Sequence, residues 1–298
     1  MHSTPFVGFN GSQTPIPVRE KAPQCGAIES LTLDRYGRTT GAPKTTRYKE
    51  EKAEVVLAPY VRQAVIMAGG KGTRLHPFSA LFPKPLMPLD DMPVLELLLR
   101  RLKKVGVAEV ILAVNHLGHL IEAYFGDGSK LGLRICYSDE DCPLGTAGAL
   151  GSMIDELDDV FLVTNGDLLT TLNLERMMVA HRESGADASI GIYERDVKIE
   201  FGLIEIDDRK RLTAYHEKPQ SRYFVSMGIY LLGREAVRPH LQANEYLDMP
   251  ELLLRMKSVG SDVCCFHDNC VWLDIGNADD FARAQKMFKD ERQLFLEC

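Results

Sequence analysis

One short stretch, residues 64–77, constrains the fold of this chain more than any other. It opens with the apolar run Ala64 to Met67, which predicts a short buried strand. Three glycines follow at once, at Gly69, Gly70 and Gly72. Because glycine lacks a Cβ atom, successive N–H groups of such a turn can approach and point at phosphate oxygens. The glycines alone leave two interpretations open, an anion-binding loop and a tight strand-to-helix connection.

A second segment carries a rigidly mounted cation. In Pro83-Lys84-Pro85 one lysine lies between two prolines, each with a fixed φ. A lysine that only covers a surface needs no such support, so the segment favours anion binding. The full pattern of residues 69–88, Gly-Gly-x-Gly-Thr-Arg-Leu-x-Pro-x-Ser-x-x-x-Pro-Lys-Pro-Leu-x-Pro, resembles the signature of the sugar-1-phosphate nucleotidyltransferases. It differs from a Walker A loop, which needs four residues between its glycines and a Gly-Lys-Ser/Thr ending.

Composition excludes some classes of function. The chain has 298 residues, a formal net charge of -7 and a pI near 5.7, which argue against a general nucleic-acid-binding protein. No apolar run approaches the ~20 residues of a membrane span, and the N-terminus lacks the pattern of a secretory signal. Seven cysteines, an odd number, fit reduced thiols better than a disulfide framework. We therefore expect a cytoplasmic protein with no nucleic-acid partner and no membrane association.

The chain divides into two segments of different character. Residues 1–60 predict an N-terminal extension that is partly disordered, since their first part is rich in proline, glycine and polar residues. Residues 61–298 alternate strand and helix patterns, which predicts a domain of α/β class, and the resemblance implies that this is a nucleotidyltransferase domain. We expect a Rossmann-like, mostly parallel sheet flanked by helices. The patterns at 201–205 and 212–218 add a small antiparallel subdomain, which the resemblance places on the sugar side. In such sheets ligands bind beyond the carboxyl ends of the strands, where the glycine turn lies.

Three further patterns give local predictions. Residues 93–105 predict an amphipathic helix whose basic residues face outward, and these are Arg100, Arg101, Lys103 and Lys104. Residues 278–296 predict a single closing helix. The cysteines and histidine of residues 264–270 could be mistaken for a zinc site. No second Cys or His pair in the sequence has suitable spacing, so we interpret this segment as a strand followed by an Asp-Asn turn.

Two aspartates at the ends of apolar runs are candidate metal ligands. Asp167 follows the apolar run 160–164, and Asp274 lies within Val271-Trp-Leu-Asp-Ile-Gly276. A carboxylate at the carboxyl end of a central parallel strand can hold Mg²⁺, which prefers oxygen ligands. Aspartate is also a common turn former, and position alone does not separate the two roles. The resemblance implies that both aspartates bind the same Mg²⁺ ion.

The resemblance covers residues 61 to about 289 and includes Leu-Gly-Thr-Ala-Gly at 144–148 and Glu-Lys-Pro at 217–219. It implies an enzyme that joins an NTP to a sugar 1-phosphate, giving an NDP-sugar and pyrophosphate, with Mg²⁺ as cofactor. The roles it implies are the following: catalytic Arg74, Lys84, Asp167 and Lys218; nucleotide-binding Ala68, Gly69, Gly70, Gly72, Thr73, Gly145 and Thr146; sugar-binding Gly202, Glu217 and Lys218; and metal-binding Asp167 and Asp274.

The base and the sugar stay open at this point. Asn165-Gly-Asp167 and residues 226–230 are most similar to guanylyltransferases acting on mannose-type or related sugar phosphates in surface-polysaccharide pathways. Thymidylyl- and uridylyltransferases share every motif named above. Cytidylyl- and molybdopterin-type transferases share the glycine loop but lack Pro83-Lys84-Pro85. A regulatory relative that binds nucleotide-sugar without turnover is an alternative of another class. Family members commonly pair, so a homo-oligomer is an open option.

Overall fold

The structure, a computed structural model, describes residues 60–70, 72–140 and 142–297. Apart from Tyr60, the predicted N-terminal extension lies outside these residues. The strands, in chain order, are β1 Gln63–Met67, β2 Pro88–Leu89, β3 Met92–Pro93, β4 Glu109–Val114, β5 Arg134–Asp139, β6 Val160–Asn165, β7 Leu168–Thr170, β8 Ala188–Lys198, β9 Leu203–Ile206, β10 Leu212–His216, β11 Gln220–Gly233, β12 Val263–His267 and β13 Trp272–Asp274. The α-helices are α1 Val94–Lys104, α2 Gly118–Phe125, α3 Gly145–Met153, α4 Leu174–Ser184, α5 Arg234–Val237, α6 Met249–Ser258, α7 Ala278–Asp290 and α8 Arg292–Glu297.

A seven-stranded sheet forms the centre, in the order β12-β8-β11-β6-β1-β4-β5. Every neighbouring pair is parallel except the two that β11 makes, with β8 and with β6. Alternation along β1 sends Ala64 and Ile66 into one buried cluster and Val65 into another, so both faces of the strand are covered. Helices α1 and α4 pack on the first face, and α3 and α6 on the second. The predicted mostly parallel α/β sheet is confirmed.

A third buried cluster supports the short strand pair β7–β13 from the side. It gathers apolar residues of β2, β3, β13, α7 and α8, including Leu273, Phe288 and Phe295. The predicted single helix over 278–296 is wrong, because the helix is interrupted at Glu291, whose φ is -128°. The break lets Arg292 pair with Asp90 and Asp91 of the β2–β3 turn.

Helix α1 contains one buried cation that the sequence pattern had placed outside. Arg101 is only 4% exposed, and its guanidinium donates hydrogen bonds to the carbonyl oxygens of Thr170 and, at 2.6 Å, of Leu172. Arg101 lies three positions after Leu98, on the buried side of the helix, and the carbonyls at the end of β7 supply its acceptors. The other three basic residues of α1 are exposed, as predicted.

Strands β8 and β11 continue past the sheet as an antiparallel ribbon. Residues 220–226 of β11 pair with residues 192–198 of β8, and β9 and β10 form a separate antiparallel hairpin next to the ribbon. We call residues 193–226 the arm. Where the arm meets the sheet, the β8–β11 register shifts between Ser226 and Tyr230, and Gly228 has φ +74°. The antiparallel subdomain is therefore confirmed as a structural unit, and β12 confirms the strand predicted at residues 264–270.

The helices of the described ranges include none with the length and apolar character needed to cross a bilayer.

Candidate active site

The glycine turn leaves the sheet at the carboxyl end of β1, between β4 and β6. The N–H group of Ala68 donates to the carbonyl of Ala113 at 2.8 Å, which holds the start of the turn on β4. Gly69 runs so close to Asn115 that an added Cβ atom would lie 3.1 Å from the Asn115 Cβ atom. Around Gly70, by contrast, no heavy atom of the described residues other than its chain neighbours would lie within 4 Å of such a Cβ atom. The turn therefore presents backbone on an open side, as a phosphate-binding loop requires.

The turn ends against the segment that carries Lys84. Gly72 has φ +59°, a conformation that favours glycine, and a Cβ atom there would lie 3.2 Å from Ser79 Cβ and 3.5 Å from Lys84 Cβ. Lys84 begins a short 3₁₀ turn, in which the N–H of Met87 donates to the Lys84 carbonyl at 3.1 Å. Pro85 packs beside Gly166 at the end of β6. The lysine backbone is therefore fixed between β1 and β6.

Asp167 and Asp274 meet at the same corner. Gly166 donates its N–H to the Met67 carbonyl at 3.0 Å, which places Asp167 beside the start of the glycine turn. The carbonyl of Asp167 accepts from the N–H of Ile275 at 3.1 Å, and Asp274 is the register partner of Leu168 in the β7–β13 pair. The short sheet β7–β13 thus joins two aspartates that are more than a hundred positions apart in the chain.

The Lys84 ammonium bridges these carboxylates. It forms an ion pair with Asp167 Oδ2 and lies 3.5 Å from Asp274 Oδ1. Burial raises the pKa of Asp167, and the positive charge of Lys84 opposes this shift. The other carboxylate oxygen of Asp167, Oδ1, is buried and has no hydrogen-bond partner within the described part of the chain.

The residues at this corner fit a divalent cation. A buried carboxylate oxygen without a donor is costly unless it gains a cation or a proton. Magnesium in phosphate-transfer sites commonly uses one or two carboxylates and completes its shell with waters and substrate oxygens. Asp167 and the more open Asp274 supply that number, whereas residues 60–70, 72–140 and 142–297 contain no group of three or more His, Cys, Asp or Glu suited to a metal ion. The donor set therefore suits a cation shared with a phosphate ligand.

Arg74 lies at the edge of this corner. Its guanidinium atoms would be 3.6–3.7 Å from a Cβ atom on Gly276, so it sits against the turn that follows Asp274. Its side chain is exposed, and within the described ranges no carboxylate forms an ion pair with it. Thr73 is exposed in the same short 3₁₀ turn. A second cation is thus available beside the carboxylates.

A cleft of about 270 Å³ opens from the glycine turn. The turn and Lys84 line one part of it, and the start of helix α3 lines another, with Gly145 and Thr146. Gly145 has φ +78°, and a Cβ atom there would lie 2.5 Å from the Leu247 carbonyl oxygen. The Thr146 hydroxyl accepts from the N–H of Met249 at 2.8 Å, which fixes α3 to α6. Gly145 and Thr146, which are predicted to bind the nucleotide, thus line the same cleft as Ala68, Gly69 and Gly70.

Glu140 lines the same cleft, and the sequence analysis missed it. It follows β5, and its Oε2 atom accepts from the N–H of Leu144 at 3.2 Å. Asn115 donates from Nδ2 to the Glu140 carbonyl at 2.8 Å, which ties it to the end of β4. Burial raises the pKa of Glu140. The rule that selected Asp167, an acidic residue at the carboxyl end of a parallel strand, would also have selected Glu140.

The predicted sugar-binding residues lie together on the arm. The Tyr215 hydroxyl donates to Glu217 Oε2 at 3.2 Å and packs against the face of Gly202 on which a Cβ atom would lie. Lys218 follows with φ +46° and an exposed side chain. None of Gly202, Glu217 and Lys218 lines the 270 Å³ cleft. These three residues thus lie on the arm, whereas Lys84 and Asp167 line the cleft.

Fold and site together define an α/β protein with an open glycine turn, two cations and two carboxylates at the carboxyl edge of its sheet. The sequence matches the nucleotidyl transferase family over residues 63–291. The chain belongs to this family, which confirms the resemblance drawn from its motifs.

Similar proteins agree with this assignment. A mannose-1-phosphate guanylyltransferase from Mycobacterium tuberculosis is 32% identical over 76% of this chain and 64% of its own length. A UTP–glucose-1-phosphate uridylyltransferase from Synechocystis is 33% identical over 74% and 62%. The D-glycero-alpha-D-manno-heptose 1-phosphate guanylyltransferase of Campylobacter jejuni is 30% identical over 74% and 96%. The chain thus spans less than two thirds of the first two relatives and nearly all of the third.

A solved structure shares the fold. The crystal structure of HddC from Yersinia pseudotuberculosis, complexed with GMP-PN, superposes with a TM-score of 0.60. It is 24% identical in sequence, and the match covers 76% of this chain and all of that chain.

Proposed function

We propose that the protein is a sugar-1-phosphate nucleotidyltransferase that joins an NTP to a sugar 1-phosphate and releases an NDP-sugar and pyrophosphate. The observation that carries this proposal is the Lys84 ammonium held between Asp167 and Asp274 beside the open glycine turn. Nucleotidyl transfer depends mainly on positioning and charge neutralisation, and this corner concentrates both. Membership in the nucleotidyl transferase family supports the same conclusion.

The reaction needs no general base. An oxygen of the sugar phosphate, already anionic, attacks the α-phosphorus of the NTP. The new P–O bond forms as the bond to the bridging oxygen of the β-phosphate breaks, and pyrophosphate leaves with that electron pair. The obstacle is the approach of two anions, which cations relieve. We assign Lys84 to the α-phosphate and Arg74 to the departing pyrophosphate.

The remaining groups position the NTP and the metal. Backbone N–H groups of the turn, at Gly69, Gly70, Gly72 and Thr73, cradle the triphosphate, and Ala68, Gly145 and Thr146 face the nucleoside. Asp167 and Asp274 would hold Mg²⁺, which supplies positive charge to the reacting phosphates when bound. The orphaned Oδ1 atom of Asp167 supports this assignment.

The arm is proposed to bind the sugar 1-phosphate. Glu217 accepts hydrogen bonds from sugar hydroxyls, Gly202 allows the sugar to approach the backbone, and Lys218 pairs with the sugar phosphate. Because none of the three lines the cleft, this role is separable from nucleotide binding. We expect Lys218→Gln to raise the KM for the sugar phosphate and to leave the KM for the NTP nearly unchanged.

We propose GTP as the nucleotide and a GDP-sugar for polysaccharide or glycan synthesis as the product. Guanylyltransferases of mannose 1-phosphate and of a heptose 1-phosphate are among the similar proteins, which supports this choice. A uridylyl- or thymidylyltransferase is the second candidate, favoured by the similarity to a glucose-1-phosphate uridylyltransferase. A regulatory relative without turnover is disfavoured, because Arg74, Lys84, Asp167, Lys218 and Asp274 are all present.

The test is pyrophosphate release with Mg²⁺, crossing the four common NTPs and dTTP with hexose, heptose and amino-sugar 1-phosphates. We expect release with GTP and a mannose- or heptose-type phosphate, and near-complete loss in Arg74→Ala and Asp167→Asn. Full turnover in either variant would refute the assigned roles. A folded protein that binds nucleotide and releases no pyrophosphate across the panel would favour the regulatory alternative.

A further inference from the structure

The Lys84 ammonium occupies the carboxylate pair to which we assign the divalent cation. It pairs with Asp167 and lies 3.5 Å from Asp274 Oδ1. The side chains of Lys84 and Asp167 are 12% and 18% exposed, so this ion pair is largely shielded from water, whereas Asp274 is 44% exposed. The single positive charge of the Lys84 ammonium thus balances only part of the negative charge of the two carboxylates.

The charges of this group predict competition. Two carboxylates and one ammonium carry a net charge of -1, and repulsion between like charges a few ångströms apart in a shielded site far exceeds thermal energy. While the Lys84 ammonium stays in place, it repels a divalent cation and weakens the attraction of that cation to Asp167. Removal of the ammonium would leave the metal-binding oxygens without this repelling neighbour.

Lys84 can change its partner through a movement of its side chain alone. Pro83 and Pro85 fix the chain on both sides, and the 3₁₀ turn packs on Gly72 and Gly166. A lysine side chain is a flexible four-carbon stem, and Lys84 also lines the cleft beside Gly69 and Gly70. Its ammonium can therefore exchange the carboxylates for an anion in the cleft without a backbone rearrangement.

We infer that Lys84 is a resident counter-ion that couples the binding of metal to the binding of nucleotide. In the free protein it neutralises part of the charge of Asp167 and Asp274 and lowers their affinity for a divalent cation. Nucleotide phosphates in the cleft draw the ammonium away, and the carboxylates then become available. Because coupling of two binding events is reciprocal, metal also favours nucleotide. This inference rests on the proposed function, since it assumes that these two aspartates hold the cation.

The inference is tested by Mn²⁺ binding to the full chain without nucleotide, with free Mn²⁺ followed by electron paramagnetic resonance. We expect Lys84→Gln to bind Mn²⁺ at least tenfold more tightly than the wild type. Lys84→Arg keeps the positive charge and should bind no more tightly than the wild type. Lys257→Gln removes an exposed lysine on α6, with the same change in net charge, and should equal the wild type.

A double variant, Lys84→Gln with Asp167→Asn, separates the inference from the metal assignment. Loss of the gained affinity in this protein would confirm that the measured site is the carboxylate pair. Equal Mn²⁺ affinity in Lys84→Gln and wild type, with both weakened by Asp167→Asn, would overturn the counter-ion role and leave the metal site intact. Binding insensitive to Asp167→Asn would overturn the metal assignment itself. Tight binding by Lys84→Arg would show that charge is not the cause.

Discussion

Arg101 and Arg100 are neighbours in helix α1 with opposite environments, and they offer a matched test of the structure. The Arg101 side chain is buried and donates to the carbonyls of Thr170 and Leu172. Arg100 is exposed and pairs with Glu96 one turn earlier. We expect Arg101→Met to destabilise the fold strongly and Arg100→Met to change stability little, although both remove one charge and keep an aliphatic stem.

The magnitude follows from the hydrogen bonds. A bond with one charged partner contributes ~1.5–3 kcal/mol, so the two bonds from Arg101 give at least about 3 kcal/mol. Methionine fills much of the same space but leaves both carbonyl oxygens without this donor. For Arg100, an exposed pair one helical turn apart contributes ~0.3–0.5 kcal/mol. The expected difference between the two variants is therefore at least about 2.5 kcal/mol in the free energy of unfolding.

Urea unfolding measures this difference, with circular dichroism for the whole domain and the fluorescence of Trp272 for the β7–β13 pair. Trp272 is the only tryptophan and is the register partner of Thr170, so it reports next to the lost hydrogen bond. With a slope of ~2–3 kcal/mol per molar urea, the midpoint of Arg101→Met should fall by about 1 M. Midpoints of the two variants within experimental error of each other would refute the buried position of Arg101.

Three further outcomes are expected. Gly148→Ala places a Cβ atom against the Glu245 carbonyl oxygen and should lower the free energy of unfolding by ~1–3 kcal/mol. Gly70→Ala, with open space around it among the described residues, should preserve stability and raise the KM for the NTP. Equal urea midpoints of the two variants would contradict this packing of α3. Glu140→Gln should lower kcat/KM for GTP by about tenfold or more relative to UTP, because a carboxylate can accept from two N–H groups of guanine but from only one of uracil. An unchanged ratio of GTP to UTP use in a competition assay would remove Glu140 from base selection. Burial lowers the pKa of His181, against the influence of Asp187, so the unfolded chain takes up the proton first as the pH drops, and the free energy of unfolding should fall below about pH 6.5. In His181→Gln the urea midpoints at pH 7.5 and pH 5.5 should converge. A difference between these two midpoints as large as in the wild type would argue against the buried neutral ring.

Elements with local signals were predictable from the sequence. Residues 174–184 predict a helix that ends at Gly185, and the structure has a helix with these bounds, in which Gly185 takes φ +66°. Its start is fixed by Asn173, whose side chain accepts from the N–H of Arg176 at 2.8 Å. The sequence likewise predicts a strand over residues 109–114 and a short helix over residues 118–125, which are the bounds of β4 and α2. In each case the residues that set the ends lie within the segment or next to it.

Features that depend on distant partners were not predictable in this way. The burial of Arg101 depends on carbonyls some 70 residues later in the chain. The full length of β8 and β11 follows from their pairing with each other, since residues 220–226 have no core of their own. The interruption at Glu291 is accompanied by the pairing of Arg292 with Asp90 and Asp91, about 200 positions earlier in the chain. Hydropathy along one segment contains no information about these contacts.

The candidate site shows the same division. The glycine turn and the Pro-Lys-Pro segment are each an uninterrupted motif in the sequence. The structure brings both to the corner that also holds Asp167 and Asp274. Glu140 lies outside the named motifs and was missed because the strand-end rule applied to Asp167 was not applied to β5. The motif of Glu217 and Lys218 did not predict where these residues lie relative to the cleft. In the structure both lie on the arm. The chemical roles of all these residues stay predictions for the assays above.

The reversed direction of β11 has a consequence for how the chain reaches its native state. Through β11 the arm forms by pairing with β8, between residues only about 20–40 positions apart. The parallel pair β1–β6 joins residues about a hundred positions apart, and closing such a long loop is slower and entropically more costly. We therefore expect the arm ribbon to form early during folding and the corner between β1 and β6 to be assembled late. A newly made chain would then have its proposed sugar-binding ribbon before it has a complete place for the nucleotide.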